Sequence, residues 1–467
     1  MSDGSETVAA QPVVRRSNGA LGRIARALRH RNYRLFFAGQ LVSLCGTFLS
    51  QVAVAWLVYR LTRTAWVLGV VGFAGQIPMF LLAPFAGVWV DRWSQRRLLV
   101  VTQALSMLQS FGLAAAAFVA HGSHAPPLKV ILGAIIALAF LQGLINAFDM
   151  PGRQAFLVQM VEDRDDLANA IALNSTMVHG ARLVGPAAAG FLIAYVGETW
   201  CFALDGFSYA AVIAALLAMR VRTVVRRTVP VGVREELVEG FRYVWHFKPI
   251  RALLLFMAVL SVAGLPALTV LMPLFADFLG GAGRGPQTLG LLMAASGLGA
   301  LLGALYLASR SSVVGLGRII VSAAALFGVA IIAFALSRHL WLSLAIVPFA
   351  GLGMLMNFAS ANTILQTLTD DDKRGRVMSF FTMAFIGMAP FGNLLAGALA
   401  SRLGPGVAGA SRTLIVAGVV CMIAAAVFAR MLPALRTLVR PVYARKGIIP
   451  EEVATGLETA AEVASPP

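Results

Sequence analysis

Residues 179–190 read HGARLVGPAAAG, and they lie inside an apolar run that extends from about residue 167 to residue 195. A simple membrane anchor needs no arginine, and even lenient scales assign a cost of about 2.5–3.5 kcal/mol to Arg at the centre of a bilayer. Gly185-Pro186 follows, and proline removes a helix hydrogen bond and bends the helix. The stretch predicts a membrane helix that packs against other helices and holds Arg182 in a cavity or beside a partner.

The composition of the whole chain is that of an integral membrane protein. Hydrophobic residues make up 59% and charged residues 13%, and the mean hydropathy is +0.80. A soluble domain carries about 25% charged residues. Because lipid tolerates only structures that satisfy their own backbone hydrogen bonds, runs of this length predict helical spans. The fold class expected is an all-α membrane protein.

Twelve apolar runs are long enough to cross about 30 Å of hydrocarbon, which requires roughly 20 residues each. We name them span one to span twelve in chain order. They are predicted at residues 35–59, 65–89, 98–120, 128–149, 167–195, 199–219, 251–277, 286–309, 317–337, 340–365, 376–402 and 410–431.

Basic residues mark one side of the membrane. They precede span one, follow span two, fill the connection at 220–250 and follow span twelve, so that roughly thirty of the Lys and Arg lie on one side and about seven on the other. This positive-inside pattern predicts that both termini are cytoplasmic in a bacterial inner membrane. It also accounts for the net charge of +17 without a nucleic-acid partner.

The long basic connection divides the spans into two groups of six. The expected organisation is a basic cytoplasmic arm (1–34), a six-helix bundle (35–219), a cytoplasmic linker (220–250), a second six-helix bundle (251–431) and a cytoplasmic tail (432–467). In the linker, EELVEGFRYVWHF has apolar residues Leu237, Phe241 and Val244 at helical spacing, which predicts an amphipathic helix on the membrane face. The arm lacks the features of a signal peptide, and the tail from about residue 447 is expected to be disordered.

An internal repeat supports two equivalent halves. A shift of 207 positions brings identical residues together in spans four and five and in spans ten and eleven. The matched pairs are Gln159 with Gln366, Asp163 with Asp370, Asp165 with Asp372, Gly185 with Gly392, Gly190 with Gly397 and Gly197 with Gly404. Parallel repeats of this kind are typical of transporters whose binding site lies between the halves.

The connection after span two reads GVWVDRWSQRR, residues 87–97. It resembles the signature loop of the major facilitator superfamily, and this resemblance covers about residues 30–435. The resemblance implies two six-helix halves and a conformational gate in which the loop aspartate faces the start of span eleven, RGRVMS. Gln95 departs from the family, which has a basic residue there, and Arg96 is expected to take its role. The alternative is that these arginines only anchor the loop at the inner face. The predicted gate residues are Gly87, Asp91, Arg92, Arg96, Arg97, Asp149, Arg153, Arg374 and Arg376.

Asp149 ends predicted span four in the segment FDMPGR. The resemblance implies that this acid is a partner of the basic cluster after span two. Arg153 follows four residues later, but Pro151 is expected to interrupt a simple helical pair. An inner gate contact is favoured over a proton site.

GPAAAG in span five resembles the Gly-Pro-x-x-Gly-Gly motif of exporters and antiporters in the superfamily, with Ala189 where Gly is usual. The exporter-type residues are Arg182, Gly185, Pro186 and Gly190. The segment from Pro151 to Pro186 and RGRVMS are similar to one branch, which holds enterobactin-type siderophore exporters and macrolide efflux proteins. The resemblance implies outward transport.

Polar residues within the spans are the candidates for a cavity or for coupling, although helix–helix hydrogen bonding is the commoner role of such residues. They are Gln40, Gln51, Gln142, Asn146, Asn174, His179, Asp205, Asn357 and Asn362. Asp205 is a candidate proton carrier or a residue at a helix start, and Asp277 is a further candidate that could simply face water. Arg182 could hold a substrate anion or pair with Asp205, and the sequence leaves both open.

The sequence predicts a secondary transporter that exports a drug-like or siderophore-like small molecule by alternating access, with proton antiport and as a monomer. No phosphate loop of the kind that ATP-driven pumps carry is present, nor an H-E-x-x-H or G-x-S-x-G motif. The three cysteines show no metal spacing, so no enzyme and no cofactor are expected. The alternatives are a flippase-like lipid transporter, an importer of the same fold, or a membrane scaffold or sensor.

Overall fold

The computed structural model describes residues 26–122, 125–160, 164–219, 233–310, 312–370 and 373–448. Twelve helices in these ranges are long and apolar enough to cross a membrane. The described helices are Arg26–Arg29, Arg31–Thr62, Ala65–Arg92, Gln95–His121, Leu128–Met160, Arg164–Val196, Glu198–Ala218, Val233–His246, Lys248–Thr269, Met272–Gly280, Gly285–Ala308, Leu316–Leu336, Leu340–Leu368, Arg374–Thr382, Met383–Gly387, Ala389–Leu403 and Gly406–Arg445.

Spans seven and eleven are interrupted where single helices are predicted. Span seven consists of Lys248–Thr269 and Met272–Gly280. Span eleven consists of Arg374–Thr382, a π-helical turn and Ala389–Leu403. Proline stands at the first or second position of the second helix in both spans, where its missing N–H costs no helix hydrogen bond.

Other spans are longer than predicted. The helix of span four continues through Pro151 to Met160, so this proline does not end it. The helix of span twelve continues to Arg445, through residues that the sequence assigns to the tail. The linker forms the helix Val233–His246, as its apolar spacing predicts, and the place of this helix on the membrane face stays a prediction. The expected disorder of the tail lies outside the described residues, as do the arm before residue 26 and residues 220–232.

We call spans one to six the first half and spans seven to twelve the second half; their division into two separate bundles stays a prediction. In the first half, span six packs against spans one and three, and span four packs against spans two and three. In the second half, span ten packs against spans eight and nine, and span twelve packs against spans seven, nine and eleven. The main contacts between the halves are those of span five with span eight and of span two with span eleven.

Because twelve crossings return the chain to its starting side, the described helices at both termini lie at the same end of the bundle. We call this the terminal end, and the opposite end the far end. One hydrophobic core includes residues of both halves, such as Trp56 and Leu57 of span one and Leu289 of span eight. A smaller core around Tyr33, Phe156 and Leu216 closes the terminal end of the first half.

Candidate functional site

Matched glycines lie at close contacts between the halves. A Cβ on Gly190 of span five would lie 3.0 Å from the Cα of Gly290 in span eight. A Cβ on Gly397 of span eleven would lie 3.1 Å from the Cα of Gly69 in span two. Gly190 and Gly397 are partners in the internal repeat, so equivalent positions make equivalent contacts. Only glycine lets the helix backbones approach so closely.

The preceding glycine pair of the repeat packs within each half. A Cβ on Gly185 would lie 2.6 Å from the Cβ of Phe48 in span one. A Cβ on Gly392 would lie 2.9 Å from the Cα of Val262 in span seven. In spans five and eleven, the first glycine of the repeat therefore contacts a helix of the same half. The second glycine contacts a helix of the other half. This pattern supports the parallel repeat, although its matched loop residues Asp163, Asp165 and Asp372 lie outside the described side chains.

Arg182 lies where spans one, five and eight meet, at the boundary between the halves. Its guanidinium carbon is 5.9 Å from the centre of the Phe48 ring, and its side chain keeps an exposed surface. Among the described residues it forms no ion pair, and the predicted alternative of a pair with Asp205 is not formed. The aromatic face stabilises the cation but does not neutralise it.

Pro186 explains how span eight approaches Arg182. Proline has no N–H, so the carbonyl of the residue four positions earlier, Arg182, receives no helix hydrogen bond from it. A Cβ on Gly297 of span eight would lie 2.8 Å from this carbonyl oxygen. Glycine at this position therefore lets span eight come close to the freed carbonyl. The helix of span five nevertheless continues without interruption from Arg164 to Val196.

The other predicted cavity residues occupy several environments. Gln40 is buried, and its Oε1 has no hydrogen-bond partner among the described atoms. Gln142 Nε2 donates to Asn146 Oδ1 at 3.1 Å, and the Nδ1 atom of half-buried His179 is also unpartnered. Asn357 Nδ2 donates to a carbonyl of its own helix. Asn362 accepts a hydrogen bond from Gln366, Gln51 is exposed and Asn174 is half-buried. The ninth candidate, Asp205, is described below.

Asp149 is buried at the terminal end, inside the first half. Arg153 Nε lies 2.5 Å from Asp149 Oδ2, so the expectation that Pro151 prevents this pair is wrong. The proline lies inside a continuous helix, and one turn still brings residues four apart to the same face. Thr102 Oγ1 and Gln103 Nε2 of span three donate to Asp149 Oδ1 at 2.7 and 2.8 Å.

The predicted gate is only partly described. Arg96 donates to the carbonyls of Leu216 and Leu217 at 2.8 Å each, where it stabilises the end of span six. Arg376 NH1 lies 2.8 Å from Glu239 Oε2 of the linker helix. Arg97 and Arg374 are exposed. Gly87, Asp91 and Arg92 lie in the described helix of span two, but their side chains lie outside the described part of the structure.

Charged residues at the far end form a cluster that the sequence does not predict. Arg63 NH1 lies 2.6 Å from Asp277 Oδ2, and the Tyr59 hydroxyl donates to the same oxygen at 2.9 Å. These contacts join span one to span seven, across the halves. Arg60 Nε lies 2.8 Å from Glu198 Oε1 within the first half. We call these five residues the far-end cluster, and a cavity of about 300 Å³ opens beside it.

Asp205 is a buried carboxyl in the interior of span six. It is 2% exposed, and it lies inside the helix Glu198–Ala218 rather than at its start. Ser110 Oγ of span three donates to Asp205 Oδ2 at 2.7 Å. Among the described residues, no group of three or more His, Cys, Asp or Glu is placed to hold a metal ion.

Comparisons with known proteins agree with this architecture. The chain is 24% identical to the staphyloferrin A transporter of Staphylococcus aureus, over 78% of this chain and 88% of the relative. It is 27% identical to the multidrug efflux pump Tap of Mycolicibacterium fortuitum, over 77% and 87%. It is 26% identical to the enterobactin exporter EntS of Salmonella typhi, over 82% and 88%.

Solved structures share the fold at low sequence identity. The nucleoside transporter NupG has a TM-score of 0.66 at 12% identity, over 87% of this chain and 99% of that one. A bacterial homologue of the human lysosomal transporter Spinster has a TM-score of 0.64 at 15% identity, over 88% and 98%. The family model described as transmembrane secretion effector matches residues 24–453. The chain therefore belongs to the transmembrane secretion effector family, within the major facilitator superfamily.

Proposed function

We propose that this protein exports a small molecule across the bacterial inner membrane by alternating access, driven by proton antiport. The observation that carries the proposal is the pair of repeat-related glycine contacts, Gly190 with Gly290 and Gly397 with Gly69. Two equivalent backbone contacts allow two rigid halves to close against each other at the far end and to separate there. In transporters built from such repeats, the binding site lies between the halves near the membrane midplane.

The direction and the orientation rest on further observations. The Gly185-Pro186 motif in span five and the relatives named as exporters and efflux pumps support outward transport. The excess of Lys and Arg at the terminal end supports cytoplasmic termini. The transporter acts as a monomer, and the loop after span two, with Asp91, forms the gate at the terminal end together with the start of span eleven.

Arg182 indicates the chemical class of the substrate. It is a cation at the boundary of the halves, with an aromatic ring beside it and no acidic partner among the described residues. Attraction between opposite charges is several times stronger in a partly desolvated site than in water. The substrate therefore carries an anionic group, which binds the guanidinium through charge-assisted hydrogen bonds.

Efflux measurements test the proposal. Cells that express the protein are compared with an empty-vector strain for loss of a fluorescent cationic dye, a macrolide and a catecholate siderophore, with and without a protonophore. Protonophore-sensitive loss of the siderophore alone is the expected result. Loss of the dye or the macrolide alone would refute the anionic substrate class but support export. No loss of any compound, with the protein present in the membrane, would favour lipid movement or import instead.

Variants of Arg182 test the anionic substrate class in the same assay. Arg182→Gln is expected to reduce export of the anionic substrate about 10- to 100-fold, because a hydrogen bond to a charged group contributes about 1.5–3 kcal/mol. Arg182→Lys keeps the charge and should retain part of the rate. Arg338→Gln is the matched control, since Arg338 also lies over a phenylalanine ring, at 5.5 Å, but at the far end. Equal export by Arg182→Gln and the parent protein would refute the assignment.

A further inference from the structure

Asp205 differs from the other buried carboxyls of the first half in its partners. Glu198 is 2% exposed and pairs with Arg60. Asp149 is 5% exposed and pairs with Arg153. Asp205 is as deeply buried, yet no described Lys, Arg or His contacts it. Its carboxyl lies in protein rather than in lipid, between spans one, three and six.

The groups that face Asp205 are hydroxyls and glycine. Span three supplies the Ser110 hydroxyl, and span one supplies Gly46, whose added Cβ would lie 2.8 Å from Asp205 Oδ1, and the Ser50 hydroxyl. Ser208 on its own helix bonds the backbone carbonyl of Asp205, not the carboxyl. Oδ1 is buried and has no hydrogen-bond partner among the described atoms. A charged carboxylate buried without a cation is costly, whereas a protonated carboxyl is a neutral group that can also donate a hydrogen bond.

Span three carries a stripe of buried polar side chains from the terminal end to Asp205. Thr102, Ser106 and Ser110 recur every four residues, which places them on one face of the helix. Thr102 donates to Asp149 at the terminal end, Ser106 accepts from Gln142 at 3.4 Å, and Ser110 donates to Asp205. The stripe also contains Gln103 and Gln109, and all five of its residues are buried.

Unused acceptor atoms occur along this stripe. Gln103 Oε1, Gln142 Oε1 and Asp205 Oδ1 are buried without a partner among the described atoms. Buried acceptors without protein partners are positions where ordered water is expected. On span six, the titratable residues Cys201 and Tyr209 lie four positions before and after Asp205, and both are buried. Polar side chains thus line span three between the deep carboxyl and the carboxylate at the terminal end.

We propose that Asp205 is the proton-binding site of the antiporter, and that the span-three stripe is the path between Asp205 and the terminal end. The proposal rests on the proposed function for its role in coupling, but the existence of a protonated Asp205 does not. Proton binding needs no other reactant: the carboxylate takes a proton from water on the far-end side in one state of the cycle and releases it along the stripe to the terminal end in the other, so that the proton crosses as the substrate moves outward.

Infrared spectroscopy of the purified full-length protein tests the site without any substrate. At neutral pH the parent protein should show the carbonyl-stretch band of a protonated carboxylic acid, and Asp205→Asn should remove it. Glu198→Gln, which changes an equally buried but ion-paired carboxyl, should leave the band in place. Ser110→Ala should shift the band to higher wavenumber, because a hydrogen bond to the carboxyl is lost, whereas Thr102→Val should not shift it. A band that persists in Asp205→Asn, or that is missing from the parent, overturns the proposal.

A transport measurement then separates the site from the function. Inside-out membrane vesicles are incubated with the compound that the efflux panel identifies. Vesicles with Asp205→Asn should lose the accumulation driven by a pH gradient, while those with Asp205→Glu should retain part of it. If the band depends on Asp205 but no compound is exported, Asp205 binds a proton and the proposed function is wrong. If export is proton-driven and the Asp205→Asn variant exports at the full rate, the proposed function is supported and the coupling role of Asp205 is refuted.

Discussion

The two ends of the bundle hold their charges in different ways. At the far end, Asp277 of the second half binds Arg63 and Tyr59 of the first half, close to the glycine contacts between spans five and eight. At the terminal end, none of the described ion pairs joins the two halves: Asp149 pairs with Arg153, Asp166 with Arg26, and Glu239 of the linker helix with Arg376. Contacts across the halves must break when the halves rock apart, whereas contacts within a half can persist throughout the cycle. The described ion pair between the halves lies at the far end, so we infer that this structure is a state closed at that end.

The largest effect on the far end is expected from Gly190→Ala. An added methyl group would meet the Pro286 carbonyl and the Gly290 backbone, and overpacking of this kind costs about 1–3 kcal/mol. The population of the state closed at the far end should therefore fall about 5- to 150-fold. The measurement is the rate at which an impermeant maleimide labels Ala194→Cys, which lines the far-end cavity, in a background without Cys45, Cys201 and Cys421.

The control for that change is Gly133→Ala in span four. No atom lies within 4 Å of a Cβ added at Gly133, so the labelling rate should equal that of the parent. If Gly190→Ala also labels at the parent rate, the glycine contact does not hold the far end closed.

A smaller effect of a different kind is expected at the terminal end. Arg153→Ala leaves buried Asp149 without its cation, which should lower the free energy of unfolding by about 1–2 kcal/mol, with solvent screening taken into account. Because the pair lies within one half, labelling of Ala194→Cys should not change. Thermal unfolding of the purified protein measures the stability, and Arg318→Ala removes an exposed charge at the same end as a control. Faster far-end labelling in Arg153→Ala would contradict the assignment of this pair to a rigid half.

The smallest effect is expected from the ion pair across the far end. Arg63 is exposed and Asp277 is half-buried, and such pairs contribute up to about 1 kcal/mol. Asp277→Asn should raise far-end labelling by less than about fivefold, and high salt should produce a similar rise in the parent protein. The charge reversal Arg63→Asp with Asp277→Arg should restore the parent rate. Glu198→Gln, which breaks a neighbouring pair within the first half, should leave the rate unchanged. An equal rise in both single variants would mean that the cluster acts as one unit.

Several features were readable in the sequence because they depend on local pattern or on composition. The lengths of the apolar runs predicted all twelve spans, and the apolar spacing in the linker predicted the helix Val233–His246. The repeat identified Gly190 and Gly397 as equivalent, and both lie at contacts between the halves. In hindsight the four-residue spacing of Thr102, Ser106 and Ser110 was also visible, but polar residues in membrane helices have too many roles for spacing alone to assign one.

Other features depend on which helices meet. The far-end cluster joins residues more than 200 positions apart along the chain, and no local pattern connects Tyr59 or Arg63 with Asp277. Proline generally interrupts a helix, so the sequence argues against a pair of Asp149 with Arg153, but the helix is continuous through Pro151 and the pair forms.

By itself, the sequence determined that the chain spans a membrane with helices, that its halves repeat, and that an arginine and a Gly-Pro pair mark span five. These follow from the cost of exposing charges and backbone polar groups to lipid, which acts on each segment separately. Only the tertiary structure decided which charges are neutralised and which are not. The sequence does not show what Arg63, Arg153 and Arg182 contact: two of them meet a carboxylate, and the third meets the ring of Phe48. The strength and even the presence of an electrostatic contact depend on the distance between groups that only the packing of separate helices brings together.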